Sequence, residues 1–291
     1  MKWKRGTVNP DVVDVRGRKV SGAGMKVGVG SVVILLAVVL ASSVFGVDLS
    51  SLVGSGGGGG GGTKGPATTK VSTQAEPLQG PDPDAELVER IKDVMLDIQD
   101  TIEGVFKANG KTYRRAKLLI FKDAIDTGCG RSSSAIGPFY CPPDELAYID
   151  LSFFRDLEHR FKAAGDFAGN YVLAHEIGHH MQTVLGIEKE TAKVRRGSRN
   201  EMSVRQELQA DCYAGIWGHS AAARGKLEEG DLDEALAAAN AIGDDRLQKQ
   251  SGREVDPETF THGTSEQRKK WFKRGFDSGR LDACDTYSVD P

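Results

Sequence analysis

Val27 to Val47 form a run of 21 residues without a single charge, and any fold for this chain must first dispose of it. Its centre, Val32-Val33-Ile34-Leu35-Leu36-Ala37-Val38-Val39-Leu40, is apolar on every side, so a helix built from it has no face for water. Such a helix is roughly 31 Å long, enough to cross a hydrocarbon core. Lys2, Lys4, Arg5, Arg16, Arg18, Lys19 and Lys26 precede it against only Asp11 and Asp14, and Asp48 is the first charge after it. Basic flanks stay in the cytoplasm. The expectation is a cytoplasmic basic tail over 1–26, one transmembrane helix over 27–47 in the cytoplasmic membrane, and the rest of the chain on the extracytoplasmic side. The competing reading is a signal peptide cleaved near Ala41-Ser42-Ser43. It requires an apolar core longer than the usual ~7–15 residues and an unusually long leader.

Residues 48–83 read as a tether. Gly56 to Gly62 are consecutive, and Pro66, Pro77, Pro81 and Pro83 follow. Such a stretch buries too little apolar surface to offset the entropy of ordering it. A phosphate-binding loop is set aside, since the glycines lack a Lys-Ser/Thr ending and a following amphipathic helix. A net charge of −3 leaves no basic field for nucleic acid.

The working domain is expected over 84–291. Asp84 stands before a helical pattern of Leu87, Ile91, Val94, Ile98, Ile102 and Val105 that Asn109-Gly110 ends. Residues 117–121 and 146–150 read as strands, with a turn-rich segment between them containing Cys129, Gly130, Gly137, Pro138 and Cys141. Helices are predicted over about 152–164, 166–185, 200–223 and 231–248, the last opening with Asp231 and Glu234 at capping-box spacing. A final helix begins near Ser265 and stops at Gly279. The fold class is α+β, mostly helical with a small sheet.

The chemistry is concentrated in two of these helices. In Tyr171-Val172-Leu173-Ala174-His175-Glu176-Ile177-Gly178-His179-His180, residues four apart share a face, so His175 and His179 can aim imidazole nitrogens at one point. Two neutral imidazoles suit zinc, and Glu176 is one position around the helix, placed to take a proton from water and pass it to a leaving amine. A tetrahedral site with an open corner needs a third protein ligand. Arg205-Gln206-Glu207-Leu208-Gln209-Ala210-Asp211-Cys212-Tyr213 offers Glu207, with Asp211 on the same face to orient His175 or His179. Exposed histidines on a surface helix are the bland alternative, and Val172, Leu173 and Ile177 argue against it by requiring the helix to pack. His180 is rotated about 100° from His179 and belongs to packing or surface instead.

These two segments resemble the gluzincin class of zinc peptidases, in which HExxH precedes a Glu-x-x-x-Asp helix. More narrowly, with Phe260-Thr261-His262-Gly263-Thr264-Ser265, Gly137-Pro138-Phe139-Tyr140-Cys141 and the opening Met1-Lys2-Trp3, the chain resembles the putative neutral zinc metallopeptidase family of bacterial membrane-anchored proteins. The resemblance covers nearly the whole chain. It implies a zincin-like fold, one zinc held by His175, His179 and Glu207, Glu176 as the catalytic residue, and a peptide or protein substrate. In zinc peptidases a histidine or tyrosine beside the metal often hydrogen-bonds the oxyanion; His262 and Tyr213 are candidates, although His262 equally well belongs to a helix-capping loop. Cys129 and Cys141 bracket a short loop and Cys212 and Cys284 remain as a second pair, so two disulfides are plausible outside the cytoplasm. The expected function is a membrane-anchored zinc endopeptidase. The rivals are a metal-containing, non-catalytic interaction protein tethered to the membrane, and a cell-wall amidase.

Overall fold

The continuous apolar run Leu118-Leu119-Ile120-Phe121 creates a sheet with two apolar faces, and the rest of the chain arranges itself to cover both. The computed structural model describes residues 1–17, 73–163, 165–187, 199–252 and 254–289. Its main sheet has the order β1 (Val12–Asp14), β2 (Lys117–Phe121), β6 (Leu146–Asp150), β5 (Phe139–Cys141). The first three strands run parallel, and β5 lies antiparallel at the edge, with Phe139 opposite Tyr148. A hairpin of β3 (Ala124–Thr127) and β4 (Gly130–Ser133) stands beside it.

Leu118, Ile120, Ala147 and Ile149 turn to one face of the sheet, where α1 (Ala85–Ala108) lays down its stripe of Ile91, Val94, Met95, Ile98, Ile102 and Phe106. On the other face Leu119, Phe121 and Tyr148 meet Ile125 of the hairpin, sealed by the Cys129–Cys141 disulfide. The helical layer on the α1 side is completed by α2 (Ser152–His159), α3 (Asp166–Leu185), α4 (Arg199–Ala223), α5 (Asp231–Ala241), α6 (Asp244–Gln250) and α7 (Ser265–Ser278). Cys212–Cys284 ties α4 to the turn after α7. The α+β, mostly helical expectation holds.

The N-terminal expectation needs correction. Residues 1–17 are not a tail apart from the working domain: β1 is a strand of its sheet, paired Val12 to Leu118 and Asp14 to Ile120. Val12, Val13 and Val15 are buried, which is why the basic charges around them do not keep this segment in solvent. Arg16 is buried as well and satisfied by Asp14 (2.7 Å) and Asp82 (2.6 Å). The end of the expected tether is likewise part of the fold, since Glu76 donates its N–H to Asp14 O (2.8 Å) and accepts from Gly17 N (2.6 Å). The Met1 ammonium is clasped by Asp166 (3.0 Å), Glu228 (3.0 Å) and Asp231 (3.1 Å). Burial alone would lower its pKa, but these carboxylates push it up to about 10. The apolar run 27–47 and Gly56 to Gly62 lie outside the described residues. Among the described residues no helix is long and apolar enough to cross a membrane.

Three smaller expectations also change. The segment between β2 and β6 carries the hairpin and the edge strand rather than turns alone. Helix α2 stops at His159, before Lys162 enters the left-handed region at φ 55°. The expected helix over 231–248 is two helices broken at Ile242-Gly243, and its capping box is not made: Gly230 is the N-cap, Asp231 accepts from Glu228 N and the Met1 ammonium, and Glu234 accepts from Phe167 N.

Candidate metal centre

Helix α3 carries apolar residues nearly all round, so it runs through the core and takes His175 and Glu176 with it. Gly178 sets its distance from α4. A Cβ there would stand 2.8 Å from the Ala210 carbonyl oxygen and 2.9 Å from Ala210 Cα, closer than a methyl group tolerates. The two helices therefore pack backbone to backbone, and Glu207 of α4 comes down on the face of α3 that holds His175 and His179.

Three potential ligand side chains converge. His175 Nε2 lies 3.2 Å from His179 Nε2 and 3.2 Å from Glu207 Oε2, and His179 Nε2 lies 3.4 Å from Glu207 Oε1. With zinc–ligand bonds of about 2.0–2.1 Å, the edge of a coordination tetrahedron is about 3.3–3.4 Å. Each separation is close to the edge of such a tetrahedron, with Glu207 turning Oε2 toward His175 and Oε1 toward His179. Two imidazole nitrogens in contact are unfavourable unless a proton or cation lies between them, and the set of two neutral nitrogens and a carboxylate suits zinc. The residues fit the metal.

The neighbours orient each ligand. His175 donates through Nδ1 to Asp211 Oδ1 (2.7 Å), which leaves Nε2 for a metal. His179 Nδ1 is 3.0 Å from Gln182 Oε1, and Gln182 in turn donates to Gln206 O at 2.7 Å. Asp211 is fully buried and saturated: Tyr171 donates its hydroxyl (2.6 Å), and Arg268 of α7 contacts both oxygens at 2.9 Å. Burial would raise the Asp211 carboxyl, but Arg268 and His175 hold it below the usual range. Burial would depress His175, yet Asp211 and Glu207 push it up to about 9. Glu207 faces the same opposition of burial and histidine charge and lies well below its ordinary value, whereas Glu176 is raised by burial.

His262 sits in the loop before α7, buried, with Nδ1 3.0 Å from Asp244 Oδ1. The other Asp244 oxygen accepts the backbone N–H groups of Thr261, His262 and Gly263. The imidazole is near enough for its charge to act on Glu207. The break at Gly243 is what makes this possible: the backbone there passes so close to Ser265 that a Cβ would collide with it, and Asp244 begins a new helix directly beneath the loop.

Tyr213 is buried on α4, where burial, together with Tyr287 and Asp285 of the C-terminal segment, raises its hydroxyl well above the ordinary value. His180 is a packing residue, wholly buried, held by Tyr140 Oη (3.0 Å) and Arg114 O (2.6 Å). The expected cysteine pairs 129–141 and 212–284 are both disulfides. Sequence reasoning missed Tyr171, Gln182, Asp244 and Arg268. A signal for Arg268 exists: with Trp271, Phe272 and Gly275 it completes the buried stripe of α7 at helical spacing, so it belongs to the inward face despite the Lys269-Lys270 that follow. A second acidic group, Asp166, Asp231 and Glu234, is arranged closely enough to hold a cation, and the Met1 ammonium already engages Asp166 and Asp231.

A family model described as putative neutral zinc metallopeptidase matches residues 1–287. The protein YpfJ of Escherichia coli K12, described as uncharacterized, is 44% identical over 296 residues, covering 99% of each chain. Rv2575 of Mycobacterium tuberculosis H37Rv, likewise described as uncharacterized, is 42% identical over 201 residues, covering 65% of this chain and 68% of that one. No solved structure matches.

Proposed function

Because this chain belongs to the putative neutral zinc metallopeptidase family, we propose that it is a zinc-dependent endopeptidase, associated with the cytoplasmic membrane and working on its outer side. The observation that carries the catalytic reading is the convergence of His175 Nε2, His179 Nε2 and the Glu207 carboxylate, with the buried Glu176 one residue from the first of them. Zinc held by these three side chains would supply Lewis acidity and lower the pKa of water. Glu176, whose carboxyl burial already biases toward holding a proton, takes one from the attacking water and delivers it to the leaving amine. His262, held in place by Asp244, donates a hydrogen bond to the developing oxyanion. The substrate backbone adds to the open edge of β5, which is linked to the metal helix by the hydrogen bond between Tyr140 and His180. Two disulfides favour an oxidising compartment, and the uncharged run 27–47 supports contact with the bilayer.

The test compares three variants of the full-length protein. Glu176→Gln is expected to retain one zinc per chain by elemental analysis while peptide hydrolysis falls by about 10²–10⁴. His179→Ala and Glu207→Ala are expected to lose the metal. A Glu176→Gln protein as active as the parent on a peptide library ends the mechanism. Casein and peptidoglycan assayed side by side, each with chelator and with zinc restored, separate a peptidase from a cell-wall amidase.

A further inference from the structure

The two flanks of the charge-free run are parts of one folded body. Before it, residues 1–17 are stitched in at five places. Met1 meets Asp166 and Asp231, Lys2 N donates to Lys226 O (2.8 Å), and Thr7 Oγ1 donates to Asp93 (2.6 Å). Asn9 donates to Lys92 O (2.9 Å), and β1 completes the sheet beside β2. After the run, Glu76 exchanges backbone hydrogen bonds with Asp14 and Gly17, and Asp82 closes on Arg16. The described residues on either side of the run therefore meet, at Gly17 and Glu76.

A single crossing by residues 27–47 is incompatible with that closure. It would put Gly17 and Glu76 on opposite sides of a bilayer whose hydrocarbon core is about 30 Å thick. The return path, 48–72, cannot cross again: it contains Asp48, Lys64, Lys70, Pro66 and seven consecutive glycines. Charges stand on both sides of the glycines, and seven consecutive glycines form helix too poorly to satisfy their backbone in hydrocarbon, which excludes the stretch. We infer that the N-terminal segment and the metal centre lie on the same side of the membrane, with no net crossing between Gly17 and Glu76. This replaces the expected N-terminus-in, domain-out arrangement, and it does not depend on the peptidase reading.

Cysteine labelling in the membrane tests this on the full-length chain. Val8, 88% exposed, is changed to Cys in one variant, and Lys107, exposed at the end of α1, in another; the parent, with its four cysteines paired, gives the background. A membrane-impermeant maleimide is applied to intact spheroplasts and to detergent lysates, where both variants label. The expected result is that Val8→Cys and Lys107→Cys both label in intact spheroplasts. If both label only after lysis, the same-side inference stands and the extracytoplasmic placement of the domain fails. If one labels in intact spheroplasts and the other only after lysis, the chain crosses once and the inference is overturned.

Discussion

At the scale of single residues, the centre is a set of charges arranged so that each buried group is answered. Asp211 shows this most fully, accepting from His175, Tyr171 and Arg268 at once. Asp211→Asn keeps the shape and removes the charge, so His175 Nδ1 meets a neutral amide in place of the carboxylate that fixes its ring and makes Nε2 basic. Zinc affinity is expected to fall about 10–100-fold, read by competition with a chromophoric chelator. An unchanged affinity would mean that Asp211 serves only to neutralise Arg268. His262 acts later in the reaction: His262→Ala is expected to keep the metal and lower kcat by about 10²–10³ with KM little changed. Equal losses in metal content and activity would instead make His262 part of the scaffold. His175, His179 and Glu207 were legible in the sequence because residues four apart share a helix face, and a buried carboxylate needs a partner. Gln182 and Asp244 were not legible, because their roles depend on which loop or helix happens to lie across from them.

At the scale of elements, glycines decide how closely the helices approach, and the metal triangle depends on that distance. Gly178 lets α3 rest against Ala210 of α4, and Gly215 and Gly275 do the same where α4 crosses α7. The second crossing brings Arg268 to Asp211. Gly178→Ala is favoured by intrinsic helix propensity, by about 1 kcal/mol. Because its methyl group would meet backbone rather than a movable side chain, overpacking is expected to win and destabilise the protein by about 1–3 kcal/mol. The helices would separate by a few tenths of an ångström, lengthening the distance from Glu207 to the histidines. Chemical denaturation with and without zinc checks both parts: the variant should lose stability and gain less from the metal than the parent does. A variant more stable than the parent would show that α4 can yield. Strands β2 and β6 were readable from their apolar content, and α3 and α7 from their ends. The break at Gly243 was passed over although a glycine followed by Asp244-Asp245 is a signal for one helix ending and another starting; only the loop it serves, that of His262, was beyond reading. Strand β1 was hidden for a related reason. Three residues with polar neighbours become a strand only because β2 offers an unpaired edge.

At the scale of the whole molecule, one carboxylate ties the sheet-covering helix to the metal-bearing layer. Asp97 of α1 is buried and accepts from Trp217 Nε1 (2.9 Å) and Arg224 Nη2 (3.0 Å) on and just after α4, with Lys226 also on it. Lys226 is also where the N-terminal strand begins its attachment, through Lys2. Burial would raise the Asp97 carboxyl, but Arg224, Lys226 and Trp217 together hold it below the ordinary range. The folded state therefore binds this proton less readily than the unfolded chain. The resulting stability is fully present above the unfolded value, near 3.9, and is lost as pH falls through the lower folded value. Asp97→Asn keeps the size and the contact with Trp217 but removes the charge. At pH 7 it is expected to cost about 1–3 kcal/mol, the lower half being more in keeping with the partial exposure of Arg224 and Lys226, whose charges can return to water. The difference between parent and variant should hold from neutrality down to about pH 4 and close below it, because the parent then carries a neutral group at the same place. Thermal unfolding of both proteins across that range measures the difference directly. A gap that persists unchanged in acid would assign the loss to packing around Trp217 rather than to the charge.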